Sequence, residues 1–352
     1  MKFTWFCEKR IIMKEIIFIM WLDFLLSLGF FFQKPPELPS HQHDAVEKIS
    51  MPTIYLGGDI MLSRSVGAMT KKYGTKHIID GYNPFHDAEK NSIIFLNLES
   101  PFSENDRDTH ERTFLFASNP RNVEVLSWLT ANKVGIISLA NNHIANAEME
   151  WFQTTIDTLD KAKILHTGLS KWERRKFIFV RVHDRKYCFG AYTYDGRKYF
   201  DKAKNETWYV NSLDDAKNDI FAMNDMHCDE KIFSLHWGRE YKVEPTDSQV
   251  QLAHFLIDNG ATMIVGGHSH IFGKTEQYHG RPIFYSLGNF IFDQEWGRDG
   301  CEPGMDCIFD EKLQKKTVPT YRGTAAKIPF PYDHIGKIWH WDIKVGKMIW
   351  EK

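Results

Sequence analysis

Short apolar runs that stop abruptly at a residue able to bind a cation recur along this 352-residue chain, and that pattern constrains its fold more than any other feature. Residues 53–56 run into Gly57, Gly58 and Asp59. Residues 93–96 run into Asn97, Leu98 and Glu99. Residues 134–139 run into Ala140, Asn141, Asn142 and His143, and residues 231–235 into His236 and Trp237. Residues 262–265 run into Gly266, Gly267, His268, Ser269 and His270. Each run is β-branched or apolar, as a buried strand requires. Helix-like segments separate them, which predicts an α/β fold with a largely parallel sheet. In such sheets the loops at the carboxyl ends of the strands converge on a binding crevice. Asp59, Glu99, Asn142, His143, His236, His268 and His270 are therefore expected in one crevice.

Taken singly, each of these residues has a plainer reading. An i, i+2 histidine pair suits a solvated loop, an Asn-Asn pair suits a turn, and a histidine before tryptophan suits a packed core. Their shared position at strand ends is what favours a site. His268 and His270 lie two apart, so in extended backbone both imidazoles face one side. Carboxylate, amide oxygen and imidazole together suit one or two divalent ions such as Mn, Fe or Zn. His143, beside Asn142, is placed to act on a leaving group. Arg64 is a candidate for meeting an anionic substrate, with a solvated surface arginine as the default.

The formal net charge is −2, so no global basicity points to nucleic acid. The cysteines form no CxxC pair, which argues against a cysteine-based zinc site. Cys301 and Cys307 bracket a short loop that can close as a disulfide outside the cytoplasm, with two free thiols as the equal alternative.

Residues 16–32 are apolar apart from Asp23, Ser27 and Gly29, with Lys2, Lys9, Arg10 and Lys14 before them. Length and basic flank predict a transmembrane signal anchor within residues 1–32, its amino terminus inside and the main domain outside. Asp23 weighs against it. Residues 33–50 are polar and proline-bearing and read as a linker. The globular domain is expected over residues 51–352. Within it, residues 177–182 and 187–192 flank Asp184 and Arg185 as a β-hairpin, which requires a second sheet packed on the first. Residues 295–332 show no clean period and read as an irregular excursion. A closing hairpin near residues 338–350 is expected on the second sheet.

Six blocks carry a family resemblance: residues 58–64 (Gly-Asp-Ile-Met-Leu-Ser-Arg), 97–101 (Asn-Leu-Glu-Ser-Pro), 140–143 (Ala-Asn-Asn-His), 236–241 (His-Trp-Gly-Arg-Glu-Tyr), 267–270 (Gly-His-Ser-His) and 286–290 (Ser-Leu-Gly-Asn-Phe). At these residues the chain resembles the CapA-type capsule-synthesis proteins associated with poly-γ-glutamate production. More distantly it resembles the calcineurin-like metallophosphoesterases. The resemblance implies a metallophosphoesterase-like αββα sandwich of two mixed sheets flanked by helices. It implies a membrane-anchored protein acting on a polyanionic polymer, with other capsule-synthesis subunits as partners. It also implies metal ligands: Asp59 and His270 for a first ion, Glu99 as the bridge, and Asn142, His236 and His268 for a second. His143 would be the general acid. The phosphoesterase pattern places a histidine two residues after the aspartate, where this chain has Met61, which removes a nitrogen ligand from the first site.

Overall fold

The computed structural model describes residues 51–79, 83–105, 116–144, 149–171, 177–294, 305–310, 315–317, 322–344 and 347–349. The expected anchor and linker, residues 1–50, lie outside the described residues. Among the described residues no helix is long and apolar enough to cross a membrane.

In chain order the strands are β1 (Ile54–Ile60), β2 (Ile93–Leu98), β3 (Val134–Ser138), β4 (Leu165–Thr167), β5 (Leu169–Lys171), β6 (Phe177–Val182) and β7 (Arg185–Thr193). Then come β8 (Lys198–Asp201), β9 (Glu206–Val210), β10 (Glu230–His236), β11 (Met263–Gly267), β12 (Thr275–Tyr278), β13 (Arg281–Phe284) and β14 (Asn289–Ile291). Last are β15 (Ile308–Asp310), β16 (Lys315–Thr317), β17 (Arg322–Ile328), β18 (Lys337–Lys344) and β19 (Lys347–Ile349). One sheet has eight strands in the order β19-β18-β17-β14-β1-β2-β3-β4, and another has six in the order β12-β13-β11-β10-β7-β6. Both are mixed. β1 to β4 run parallel, while β17 lies antiparallel to β1. β7, β10, β11 and β13 run parallel, with antiparallel β6 and β12 at the edges.

The two sheets stack because their strands are apolar on both faces. Every residue of β1 is buried, as expected for a strand covered on both sides. Ile54, Leu56, Phe95 and Ile136 of the first sheet pack against Tyr187, Phe189, Ile232 and Met263 of the second. The Phe95 and Phe189 rings meet edge-on across this layer at 5.1 Å. The alternate residues face outward. Leu96, Leu98 and Ile137 pack with Val66, Leu126 and Phe152 of the helices Arg64–Tyr73, Val123–Leu129 and Glu150–Lys161. On the opposite side Phe233, Leu235 and Ile264 pack with Ile220 and Leu256 of the helices Leu213–Asp225 and Asp247–Asp258. The result is a helix–sheet–sheet–helix layering. Local chemistry starts the latter two helices: Ser212 with Asp215, and Thr246 with Gln249, form capping boxes.

Three features differ from expectation. The runs that end in polar residues do not share one sheet: β1, β2 and β3 belong to the first, β10 and β11 to the second. Residues 295–332 are not irregular throughout, since β15 pairs with β16 and β17 pairs with β1, Ile328 opposite Ile54. The closing hairpin β18–β19 extends the first sheet through β17, not the second. The segment Arg-Gly-Thr-Ala-Ala-Lys-Ile of β17 has neither alternation nor an apolar run. Its place comes from tertiary pairing with β1, where the small Ala325 and Ala326 are buried.

A disulfide joins Cys188 of β7 to Cys228, 40 residues away, just before β10. Cys307 is also disulfide-bonded, while Cys301, with which it was expected to close a loop, lies outside the described residues.

Phe189 is fully buried between the sheets. Phe189→Ala is expected to lower unfolding stability by about 3–5 kcal/mol, measured by denaturant titration.

Candidate metal centre

The carboxyl ends of strands from both sheets meet along one edge. Asp59 of β1 lies in register with Asn97 of β2 and Asn289 of β14. His236 of β10 lies in register with Gly267 of β11. The backbone N–H of His268 donates to Asp59 Oδ2 at 3.1 Å, so a loop of the second sheet is seated on a carboxylate of the first. Gly267 is needed at this crossing. A Cβ there would lie 2.8 Å from Asp59 Oδ1 and 3.4 Å from His236 Nδ1. Non-glycine residues around the site hold left-handed backbone: Arg64 (φ 56°), Tyr241 (61°), His268 (90°) and His270 (60°). Such conformations cost on the order of 1–3 kcal/mol each and persist where the surroundings enforce them.

Asp59, Glu99 and His236 each present a ligand atom, and these atoms lie within 4.8 Å of one another. All three side chains are buried. No donor at ordinary hydrogen-bond geometry satisfies the Glu99 oxygens, whose neighbours are the Asp59 carboxyl group and His236 Nε2, and His268 Nδ1 has no partner either. His236 Nε2 lies 3.4 Å from Glu99 Oε1. The same Nε2 lies 2.9 Å from Asn142 Oδ1. An amide oxygen only accepts, so without an ion Nε2 carries the proton, and a cation held between Glu99 and Asn142 would take that proton's place. The His268 ring is 4.9 Å from that of His236 and 6.3 Å from that of His270. His270 Nδ1 is 3.9 Å from Asp59 Oδ2. His143 lies beside this group, its Nε2 3.3 Å from Asn142 Nδ2 and its ring edge-on to Phe116 at 4.6 Å. Arg64 is at the rim, its Nε 3.2 Å from Asp293 Oδ2. The expected residues therefore do share one crevice.

Sequence reasoning missed the residues that orient them. Asn97 donates to Asp59 Oδ1 at 2.8 Å and reaches to 3.4 Å from His236 Nδ1. Asn141 donates to Asn97 Oδ1 at 3.2 Å and accepts from Ile144 N. Asn289 Oδ1 accepts from His270 Nδ1 at 3.0 Å, while its Nδ2 donates to Gln294 Oε1 at 3.0 Å. The proton of His270 is thereby held on Nδ1, leaving the Nε2 lone pair for a ligand. The available signals were Asn97 two residues before Glu99, hence on the same face of β2, and Asn289 at a strand end. Met61 is buried in the core of the outer layer, with Ser63 Oγ 3.1 Å from its sulfur.

Burial dominates the electrostatics. It raises Asp59 to about 6, against opposing hydrogen bonds from Asn97 and His268. It raises Glu99 well above the ordinary carboxyl value, with the charge of Asp59 adding to the effect. It lowers His268 to about 4. It lowers His270 and His143 to about 3, neighbouring imidazoles adding to it. His236 is pushed well below its usual value by the same causes. At neutral pH the imidazoles are uncharged, while two carboxyl groups are crowded in a buried site. Orphaned acceptors with neutral imidazoles and an amide oxygen are the donor set of a divalent-ion site, so the residues fit such an ion.

The family described as bacterial capsule synthesis protein PGA_cap matches residues 53–294. The PGA biosynthesis protein CapA of Bacillus subtilis (strain 168) is 28% identical over 300 residues, covering 83% of this chain and 76% of that one. The capsule biosynthesis protein CapA of Bacillus anthracis is 25% identical over 264 residues, covering 73% of this chain and 63% of that one. Among solved structures, a 5'-nucleotidase precursor from Thermus thermophilus aligns over 84% of this chain and 56% of its own, at 12% identity and a TM-score of 0.41.

The orphaned carboxyl group and its buried neighbour each generate a prediction. Replacing Glu99 by glutamine removes a buried acid that lacks donors, so metal-free Glu99→Gln should be at least as stable as wild type. Its thermal shift on adding Mn2+ or Zn2+ should be lost. A loss of more than about 2 kcal/mol, as for an ordinary core residue, would mark Glu99 as structural. The second concerns pH. Because the folded-state value of Asp59 is raised, its contribution to metal-free stability is full below the ordinary carboxyl range and is lost as pH rises through about 6. A cation competes with that proton. The metal-induced rise in Tm should therefore be large at pH 7.5 and shrink as pH falls below about 6. A shift that does not change across this window would contradict the assignment.

Proposed function

The chain belongs to the PGA_cap family of bacterial capsule synthesis proteins, and from that premise we propose that it is a metal-dependent hydrolase or transferase acting on a polyanionic γ-glutamyl polymer. The observation that carries this reading is the buried group Asp59, Glu99 and His236, with no donor at ordinary hydrogen-bond geometry on either Glu99 oxygen. Buried polar atoms are normally satisfied, and here the unsatisfied oxygens stand within reach of a buried aspartate and histidine, a set that a divalent ion would satisfy. The substrate class comes from relatives whose names place them in PGA and capsule biosynthesis.

In this proposal Asp59 and His270 would hold a first ion, Asn142, His236 and His268 would hold a second, and Glu99 would serve both. Met61 leaves the first position short of a nitrogen ligand. Bound divalent ions supply Lewis-acid polarisation of the attacked carbonyl or phosphoryl oxygen. The protein's own residues do the rest. Asn97 and the His268 N–H hold the Asp59 carboxylate in one orientation. Asn289 fixes the tautomer of His270. His143 stands beside the ligand cluster, against Phe116. Burial keeps it neutral, so the negative charge of a bound substrate must raise it before it can protonate a leaving nitrogen or oxygen.

The domain is proposed to work outside the cytoplasm, anchored by residues 1–32. The Cys188–Cys228 disulfide supports that compartment, as does the basic flank before the apolar run. Other capsule-synthesis subunits are the proposed partners.

The test is turnover by the full-length, metal-loaded protein. γ-Linked oligoglutamate should be cleaved or extended, with the rate falling about 100-fold or more in His143→Ala and to background in His268→Ala. Turnover of an aryl phosphate in its place would make the protein a phosphoesterase. No turnover of either substrate with any of Mn, Fe or Zn would leave a non-catalytic assembly subunit.

A further inference from the structure

Arg64 is held more firmly than a solvated arginine requires. Its Nε is 3.2 Å from Asp293 Oδ2, and the Asp293 side chain is only 4% exposed. The same carboxylate oxygen accepts from the Ser65 N–H at 3.0 Å, so Asp293 ties down both the backbone and the side chain of this turn. Arg64 itself has left-handed backbone, φ 56°, a conformation that persists only where the surroundings enforce it. Its guanidinium lies over the Phe116 ring at 5.2 Å. Phe116 in turn packs edge-on against His143 at 4.6 Å. Arginine and the proposed acid thus share one aromatic wall. Asp293 engages Arg64 through Nε, and among the described residues the terminal guanidinium nitrogens meet no acceptor. The Arg64 side chain remains 28% exposed, open to a ligand entering the crevice.

We infer that Arg64, positioned by Asp293 and Phe116, recognises the carboxylate on the leaving-group side of a γ-glutamyl bond. The inference rests on the γ-glutamyl reading of the substrate. In a γ-linked chain the carbon bonded to each amide nitrogen also bears a free α-carboxylate. A residue that meets that carboxylate must stand next to the group that meets the nitrogen, and Arg64 stands next to His143. Arginine suits the task because its planar fork matches a carboxylate with two parallel hydrogen bonds. In an α-linked polyglutamate that carboxyl group is consumed in the backbone, and the side-chain carboxylate lies two methylenes further out. Arg64 therefore selects γ over α linkage as well as acid over amide.

The test is calorimetric binding to the full-length, metal-loaded protein. The probes are a γ-linked glutamate oligomer and the same oligomer with its α-carboxylates converted to carboxamides. Wild type is expected to bind the acid oligomer at least tenfold more tightly than the carboxamide. Arg64→Ala should abolish that preference. Asp293→Asn should reduce it, while both variants keep the metal-induced rise in Tm that reports an intact site. A preference that survives in Arg64→Ala, equal binding of the two oligomers by wild type, or no binding of either would overturn the inference. Failure of the catalytic reading is separate: it would appear as absent turnover with the binding preference intact.

Discussion

Asp59 and Glu99 are two acidic side chains, fully buried, whose ligand atoms lie within 4.8 Å of each other and of His236. At that separation two full negative charges repel by about 3–4 kcal/mol even with an effective dielectric of about 20. Removing each from water adds to the cost. Only a few local donors, among them the Asn97 amide and the His268 N–H on Asp59, offset it. The pair therefore holds protons more tightly than exposed carboxyl groups do, and a cation competes with them. The same burial that strains this pair depresses the imidazoles around it, while Asn289 fixes the tautomer of His270 and His268, His270, Tyr241 and Arg64 hold left-handed backbone.

The fold makes such a cluster possible by joining two sheets at their carboxyl edges. Neither sheet alone holds the set. β1 and β2 bring the carboxylates, and β10 with the loop after β11 brings the imidazoles. The inner layer of Phe95, Phe189, Ile232 and Met263 sets the distance between the sheets. Small residues let the backbones cross. Gly58 is one such point, since a Cβ there would meet the Gly288 carbonyl oxygen at 2.1 Å. Stability and function divide along this line, with the apolar layer stabilising the frame and the strand ends carrying unsatisfied polar groups.

Much of this was legible in local sequence. Buried strands announced themselves as apolar runs, and the residues just past them are the ones gathered in the crevice. The β6–β7 hairpin was marked by Asp184 and Arg185. What was illegible depends on contacts distant in sequence. β17 carries no alternation, and only its pairing with β1 makes it a strand. The division of the polar-ended runs between two sheets leaves no local trace, because a parallel strand buried on both faces looks the same in either. Asn289, Gln294 and Asp293 are ordinary polar residues until the fold brings His270 and Arg64 to them. The Cys188–Cys228 pairing, across 40 residues, had no spacing signature.

The central claim is that the buried cluster exists to hold a cation. Elemental analysis of the purified full-length protein, wild type beside Glu99→Gln, tests it most directly. The account predicts about one to two equivalents of Mn, Fe or Zn per chain in wild type and a clear loss in the variant. If wild type bound no divalent metal after loading with each ion in turn, the cluster would have to be a protonated structural network, and the metal-dependent reading would be wrong.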